Sequence, residues 1–328
     1  MFAIASTTLP VFGLILCGYL FARNGVLGRQ FAEPFNRFVY FLAFPALLFV
    51  VVARTPPQKI LYWPFLFAWT GSLAITFAIT AVVSALLFRD RLARTAVRCM
   101  DGTCASTAFM GVPLAVAAFG KEAALQAILS TAIVVVTISV TVMLIELDYK
   151  LLSRRHDGGD GAVVGTAAAI TAIVREIGLS LLKNPLMVAV FAGAVLAFTD
   201  VPLPMAIQRF CDLVGAAAVP VSLFAMGLFT FGQSVQQNTT EISVLTVIKL
   251  IVHPAVAWFL IIAFFPMDPV WARTTLLLAA LPPASTCFVV AQRFDTYAGE
   301  TSAMTLVSTV ISIATISILL ISIDLLLP

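Results

Sequence analysis

The chain is built from apolar runs of one particular length. They lie at about 4–22, 35–53, 64–88, 95–119, 122–147, 184–199, 210–232, 242–265, 271–291 and 302–327. Crossing the hydrocarbon of a bilayer takes about 20 apolar residues of helix. Inside lipid every backbone amide and carbonyl must be satisfied within the structure, which leaves only helices and closed barrels. A barrel needs strands of about ten residues with alternating polarity; these runs are too long and too uniformly apolar. Composition agrees: 61% of the 328 residues are hydrophobic and 11% charged, whereas a soluble domain carries roughly 25% charged residues. The expected fold is an all-α polytopic membrane protein with ten transmembrane helices, the sixth being short.

The ten runs divide into two sets of five, because the sequence says nearly the same thing twice. Ala105-Ser106-Thr107-Ala108-Phe109 recurs as Ala284-Ser285-Thr286-Cys287-Phe288, an offset of 179. Thr131 with Thr137-Ile138-Ser139 recurs as Thr309 with Thr315-Ile316-Ser317, an offset of 178. Pro45, Leu48 and Phe49 recur as Pro220, Leu223 and Phe224, and Pro10 with Gly18 recurs as Pro185 with Gly193, both at 175. An odd number of spans per unit inserts the second copy upside down, giving inverted repeats related by an axis in the membrane plane. A duplicated membrane unit is the pattern of a secondary transporter, with its substrate near the midplane where the repeats meet. The expected division is 1–149 for the first repeat, 150–183 for a connecting segment and 184–328 for the second repeat.

Charge sets the orientation. Arg23, Arg29, Arg89, Arg91, Arg94, Lys150, Arg154, Arg155, Arg175, Lys183 and Arg293 fall on one side, against Arg54, Lys59, Lys121, Arg209 and Arg273 on the other. By the positive-inside rule the richer side is cytoplasmic, so both termini are expected outside the cytoplasm of a bacterial inner membrane. The first run has no basic flank and no small-residue cleavage site, and is expected to be a retained helix, not a signal peptide. The net charge of +3 then reflects topology; no basic patch with interleaved aromatics suggests nucleic acid. In the connecting segment, Ser153 to Gly161 is polar and glycine-rich, expected to be a mobile loop. Ile170, Ile173, Val174, Ile177 and Leu181 then share one face of an expected interfacial helix.

Two spans carry breaks near their middles: Gly111-Val112-Pro113 in the fourth and Pro282-Pro283 in the ninth. Proline removes a donor and clashes with the preceding turn. Broken backbone at membrane depth is tolerated where it lines a cavity or is buried in protein. The breaks fall in corresponding spans, so two discontinuous helices are expected to cross at the midplane. Their second halves, starting near Pro113 and Pro283, would aim free amides and positive dipole ends at one point, a setting for an anion such as a carboxylate. Ser106, Thr107, Ser285 and Thr286 supply hydroxyls beside the breaks, and Met110, Gly111, Pro113, Pro282 and Pro283 complete the candidate substrate site.

Ionisable groups inside spans are expensive and few. Arg98 and Asp101 stand three apart in the fourth span and can pair. Lys249 and His253 stand four apart in the eighth. These four are the candidates for coupling or gating, Asp101 foremost. Glu146, Asp148 and Asp324 lie at span ends, where solvation is expected. The five cysteines, Cys17, Cys99, Cys104, Cys211 and Cys287, are scattered without a C-x-x-C pair, so buried free thiols and no metal site are expected. No cofactor is implied.

At these landmarks the chain resembles a known family. Leu9-Pro10-Val11-Phe12-Gly13-Leu14 with Gly18-Tyr19-Leu20, Phe44-Pro45-Ala46-Leu47-Leu48-Phe49, Met110-Gly111-Val112-Pro113-Leu114, Lys183-Asn184-Pro185, Lys249 with His253-Pro254, and Leu281-Pro282-Pro283-Ala284 are similar, in order, to motifs of the auxin efflux carrier family. By length the chain is similar to bacterial members labelled malonate or malate transporters, relatives of the plant auxin carriers. The resemblance implies two inverted five-helix repeats, a scaffold of spans 1, 2, 6 and 7, and a mobile transport unit of spans 3–5 and 8–10. It also implies elevator-like alternating access and a homodimer. The family commonly has an asparagine beside each crossover; Ser106 and Thr286 stand in those places here.

The reading is a secondary transporter of small organic anions. No phosphate-cradling glycine-rich loop points to ATP. A membrane enzyme would need a nucleophile and base or a metal set. The chain has no H-E-x-x-H, no G-x-S-x-G and only His156 and His253. A channel or sensor of the same fold is the alternative.

Overall fold

The computed structural model describes residues 2–54, 62–157, 185–199, 203–232 and 239–327. Among these residues it is all-helical. Its helices are α1 (Phe2–Arg23), α2 (Arg29–Ala53), α3 (Trp63–Leu87), α4 (Leu92–Thr103), α5 (Thr107–Phe119), α6 (Ala123–Asp157), α7 (Pro185–Thr199), α8 (Met205–Phe229), α9 (Thr239–Ala263), α10 (Pro269–Ala279), α11 (Ser285–Arg293) and α12 (Ala298–Leu326). Six helices among the described residues, within α2, α3, α6, α8, α9 and α12, are long and apolar enough to cross a membrane. The other expected runs fall on α1, the short α7, and two interrupted pairs, α4 with α5 and α10 with α11.

Large apolar side chains cover the outside: Leu325 is 87% exposed, Leu213 77% and Leu86 68%. Polar ones lie inside. Ser72, Thr76, Thr80 and Ser84 recur every fourth residue along α3 and are all fully buried. They form one stripe turned toward the protein, the reverse of a water-soluble helix. Thr301, Thr305, Ser308 and Ser312 make a second buried stripe on α12. Some of these hydroxyls bond back to the preceding turn, as Thr80 Oγ1 does to the Thr76 carbonyl at 2.8 Å, while those of Thr76, Ser84 and Thr305 are buried without a partner.

Three widened turns have one cause. The π turns Val39–Ala43, Thr107–Gly111 and Ile248–Val252 each run directly into a residue followed by proline: Phe44-Pro45, Val112-Pro113 and His253-Pro254. A proline cannot accept the regular turn behind it, and one extra residue per turn gives the ring room without ending the helix.

Helix pairing fixes the frame. α1 packs on α8, and α7 packs on α2. Both contacts close on glycine. A Cβ added at Gly18 would sit 2.1 Å from the Phe224 carbonyl oxygen, and one at Gly227 2.0 Å from that of Ile15. A Cβ at Gly193 would sit 2.8 Å from the Phe49 carbonyl oxygen. Only a hydrogen at these positions lets the backbones approach so closely. α3 packs on α4 and α9, and α6 lies against α4, α5 and α10.

One expectation about the connecting segment is corrected. Ser153 to Asp157 are the last turns of α6, which runs ten residues beyond its expected end. The glycine-rich stretch after it and the expected interfacial helix lie outside the described residues.

Candidate functional site

Between α4 and α5 the backbone is extended at Cys104 and Ala105, and between α10 and α11 it is extended near Pro283. These segments cross. Ala105 and Pro283 form an antiparallel bridge: the Ser106 amide donates to the Pro282 carbonyl at 2.9 Å and the Ala284 amide to the Cys104 carbonyl at 3.0 Å. Two groups that a broken helix would leave orphaned at membrane depth are thereby satisfied.

The position of the first break corrects the sequence expectation. It lies at Cys104–Ser106, and the second half-helix starts at Thr107, not near Pro113. Pro113 enters α5 just after the π turn, its lost donor absorbed there. In the second case the expectation and the structure agree closely: α11 starts at Ser285, two residues after Pro283.

Each half-helix opens without a side-chain cap. The Thr107 amide is used by the Ala105 carbonyl at 2.8 Å, and those of Met110 and Gly111 by the Ser106 carbonyl. The first-turn amides of Ala108 and Phe109 in α5, and of Ser285 and Thr286 in α11, are the orphan donors that a helix start presents.

Beside these starts lies a cavity of about 820 Å³. Ser106, Thr107, Ala108 and Phe109 form one wall, with Ala284, Thr286 and Phe288 next to them. Thr131, Val134, Val135 and Ile138 come from α6, and Phe229 from α8. The first turns of α2 complete it, from Arg29, Glu33 and Arg37 to Tyr40. The surface is mainly apolar and aromatic, and its polar groups include the hydroxyls of Ser106, Thr107, Thr131 and Thr286 and the charged side chains of α2. Tyr40 and Phe109 stack at 5.7 Å, and Arg29 sits 5.0 Å over the Phe229 ring. Thr131 Oγ1 donates to the Ala127 carbonyl at 2.8 Å. The 2.9 Å contact between Thr107 and Thr131 hydroxyls is therefore donated by Thr107, which leaves Thr107 no proton of its own to offer.

Of the candidate site residues, Ser106, Thr107 and Thr286 line this cavity. Ser285 contributes its backbone to the start of α11. Pro282 and Pro283 form the bridge. Met110, Gly111 and Pro113 lie off the cavity in packed positions; a Cβ at Gly111 would meet Leu278 at 2.7 Å and Leu281 at 3.0 Å.

The coupling candidates take partners that spacing did not reveal. Arg98 and Asp101 do not pair. Arg98, 1% exposed, donates through Nε to Glu241 and through Nη2 to Asp90. Its guanidinium lies 4.8 Å from the Phe88 ring and 4.9 Å from that of Tyr297, and the Tyr297 hydroxyl donates to Glu241. The cluster joins α4, the start of α9 and the loop before α12. Asp101 is fully buried; Oδ2 accepts from the Thr301 hydroxyl at 2.7 Å, and Oδ1 has no partner. Asp148, expected to be solvated, is buried and pairs with Arg91 at 3.2 Å.

Lys249 is fully buried as well, and does not reach the interface. Nζ donates to the Ala279 carbonyl at 3.1 Å and meets His253 Nδ1 at 2.8 Å. His253 Nε2 lies 3.4 Å from Ser72 Oγ, whose own proton goes to the Trp69 carbonyl at 2.8 Å. Nε2 therefore carries the imidazole proton and Nδ1 accepts from Lys249. Ala279 ends α10, so the amine sits at the C-terminus of a half-helix, where a positive charge is favoured.

The sequence reading missed Glu241, Asp90, Tyr297 and the lining residues Tyr40 and Phe109. Glu241 had a signal, a carboxylate at the edge of an apolar span. The others carried none, because their roles depend on partners far along the chain.

An all-helical chain with spanning helices and a polar crossover around a cavity is a membrane transport protein in architecture, and comparison with known proteins places it there. The family model described as membrane transport protein matches residues 3–320. The chain belongs to this family, that of the auxin efflux carriers. It is 29% identical over 322 residues to a Rhizobium meliloti protein named provisionally as a malonate transporter, covering 98% of this chain and 96% of the relative. It is 26% identical over 303 residues to the uncharacterized transporter YfdV of Escherichia coli, covering 88% of each. A rice protein (Oryza sativa subsp. japonica) named provisionally as auxin efflux carrier component 5a is 23% identical over 345 residues, covering 95% of this chain and 94% of its own.

Proposed function

We propose that the chain is a secondary transporter of small organic anions that binds a substrate carboxylate at the crossover. The observation that carries this reading is the bridge between Ala105 and Pro283, which brings two uncapped half-helix starts to one cavity. Each start offers orphan amides and about half an elementary positive charge. In a cavity of low dielectric that charge is weakly screened. Ser106 and Thr286 add hydroxyls, and Arg29 on α2 adds positive charge, while Arg37 is paired with Glu33 at 2.7 Å.

Two inverted five-helix repeats supply the alternation. Residues 175 apart make the same contact in both directions: Gly18 meets the Phe224 carbonyl, and Gly193 meets that of Phe49. Thr107 and Thr286, 179 apart, both line the cavity. The cavity lies where the first turns of α2, counted with the scaffold, face α5, α6 and α11, counted with the transport unit. With the arginine-rich side in the cytoplasm of a bacterial inner membrane, the cavity opens inward. Elevator movement of the transport unit would expose the same site outward, in a protein that functions as a homodimer. The substrate class of the malonate- and auxin-named relatives, carboxylates, is consistent with this site.

Competition between matched acids and amides tests the reading. An uncharged amide loses a charge-assisted interaction of about 1.5–3 kcal/mol, so it should bind roughly 10- to 150-fold more weakly than its acid. Equal competition by amides or by cations would refute it.

A further inference from the structure

We propose that Asp101 is the proton-carrying group that couples anion transport to a proton gradient, a deepening that rests on the anion-transporter reading. Asp101 lies in the last turn of α4, three residues before Cys104, whose carbonyl takes part in the crossover bridge. It is fully buried. One carboxylate oxygen holds the Thr301 hydroxyl, and the other is enclosed without a partner. An ionised carboxylate with a single donor and no counter-ion is poorly compensated in such a place.

No neighbouring cation bonds to it. Arg98, one turn earlier on α4, gives Nη2 to Asp90 and Nε to Glu241, and its remaining Nη1 is buried without a partner and makes no hydrogen bond to Asp101. Lys249 on α9 is engaged by His253 and Ala279. Cys99 on its own helix and Cys287 on α11 are the titratable groups within electrostatic reach, and both are thiols. α3 contributes Thr80 beside Gly102 and carries no ionisable residue. α6 has its acids at the far end, with Asp148 held by Arg91. α12 supplies Thr301, and one turn further along it the Thr305 hydroxyl is also buried and without a partner.

The balance of charge gives the coupling. A substrate carboxylate at the half-helix starts adds a negative charge near Asp101, and two such charges in a weakly screened interior repel. Uptake of one proton by Asp101 removes that repulsion. Anion binding and proton uptake therefore favour each other reciprocally. A loaded site carries both across, and the carboxyl returns its proton on the far side as the anion leaves.

The test uses full-length protein in liposomes and the variants Asp101→Asn and Asp101→Glu. Asn keeps an oxygen for Thr301 and removes the titration. The wild type should accumulate radiolabelled malonate, or another carboxylate it exchanges, above equilibrium when the substrate-containing side is acidic, and a protonophore should abolish this. Asp101→Asn should keep exchange down to equilibrium while losing gradient-driven accumulation, and Asp101→Glu should restore part of it. Unchanged gradient-driven accumulation in Asp101→Asn, or wild-type accumulation driven by sodium alone, would overturn the assignment. Infrared difference spectra across a pH titration provide a readout that needs no substrate. A carboxylic-acid band should titrate in the wild type and be missing in Asp101→Asn; the same band in both proteins overturns the proposal. If the wild type exchanges no carboxylate, the anion reading fails, and the infrared result still decides whether Asp101 takes up a proton.

Discussion

Removing Glu241 should loosen the helices that carry the crossover, and the effect can be sized from its contacts. Glu241 accepts from Arg98 Nε and from the Tyr297 hydroxyl. Arg98 is 1% exposed, so in Glu241→Leu its guanidinium keeps only Asp90, itself 29% exposed at the side chain. Breaking a buried pair by deleting one partner costs about 3–5 kcal/mol, because an uncompensated charge stays behind. The Tyr297 hydroxyl also loses its acceptor, but the terms share partners and do not simply add. For a chain of this size the loss corresponds to a fall in melting temperature on the order of 5–10 °C. Arg98→Leu should be damaging too, since it strands Glu241. The double variant should be less damaging than the sum of the singles by about 0.5–3 kcal/mol, the range seen for directly coupled residues. Glu241→Gln, which keeps an acceptor oxygen, should fall between. The assay is thermal unfolding of purified protein in detergent, followed by intrinsic tryptophan fluorescence. Strictly additive single shifts, or a Glu241→Leu shift of less than about 1 °C, would show that the cluster does not hold α4, α9 and the α12 loop together.

Two other outcomes follow from the packing and the charge. Gly18→Ala forces a Cβ to 2.1 Å from the Phe224 carbonyl, so α1 and α8 must separate, at about 1–3 kcal/mol. Gly13→Ala, with nothing within 4 Å, should be neutral or slightly stabilising in the same melting experiment, and equal shifts in the two variants would contradict the close crossing. A cysteine at Asn24, exposed in the loop after α1, on a background without native cysteines, should react with an impermeant reagent only in inside-out vesicles. Labelling in intact cells would reverse the orientation drawn from the positive charges.

The parts of this structure that the sequence shows are those written locally. Apolar runs mark where helices lie, because hydrocarbon thickness sets their length. The prolines near 113 and 283 announce interruptions in two of them. The first break nevertheless falls at Cys104–Ser106. Extended backbone there is stable only against Pro282 and Ala284, nearly 180 residues away, and no local pattern carries that partner. Pro113, the louder signal, is instead absorbed by a π turn. The same limit explains Arg98. Its spacing from Asp101 suggested an intrahelical pair, but Glu241 and Asp90 offer two carboxylates in better geometry. Asp101 is thereby left to a single hydroxyl. The stripe of Ser72, Thr76, Thr80 and Ser84 has a four-residue period in the sequence, but a reading by apolar runs passes over it, and only the structure shows it on the buried face of α3. Lys249 and His253, one turn apart, do meet, and their position at the end of α10 follows from the tertiary fold alone.

The central claim is that a carboxylate crosses the membrane through the cavity at the crossover. Uptake of radiolabelled malonate, malate and a set of monocarboxylates into liposomes containing the purified protein tests it most directly, with Ser106→Leu and Thr286→Leu run beside the wild type. Both side chains line the cavity, and neither makes a side-chain contact on which the fold depends. The account predicts saturable uptake of at least one carboxylate by the wild type, and its loss in both variants at unchanged melting temperature. Uptake that persists in both variants, or wild-type protein that moves amides or cations as readily as carboxylates, would contradict it.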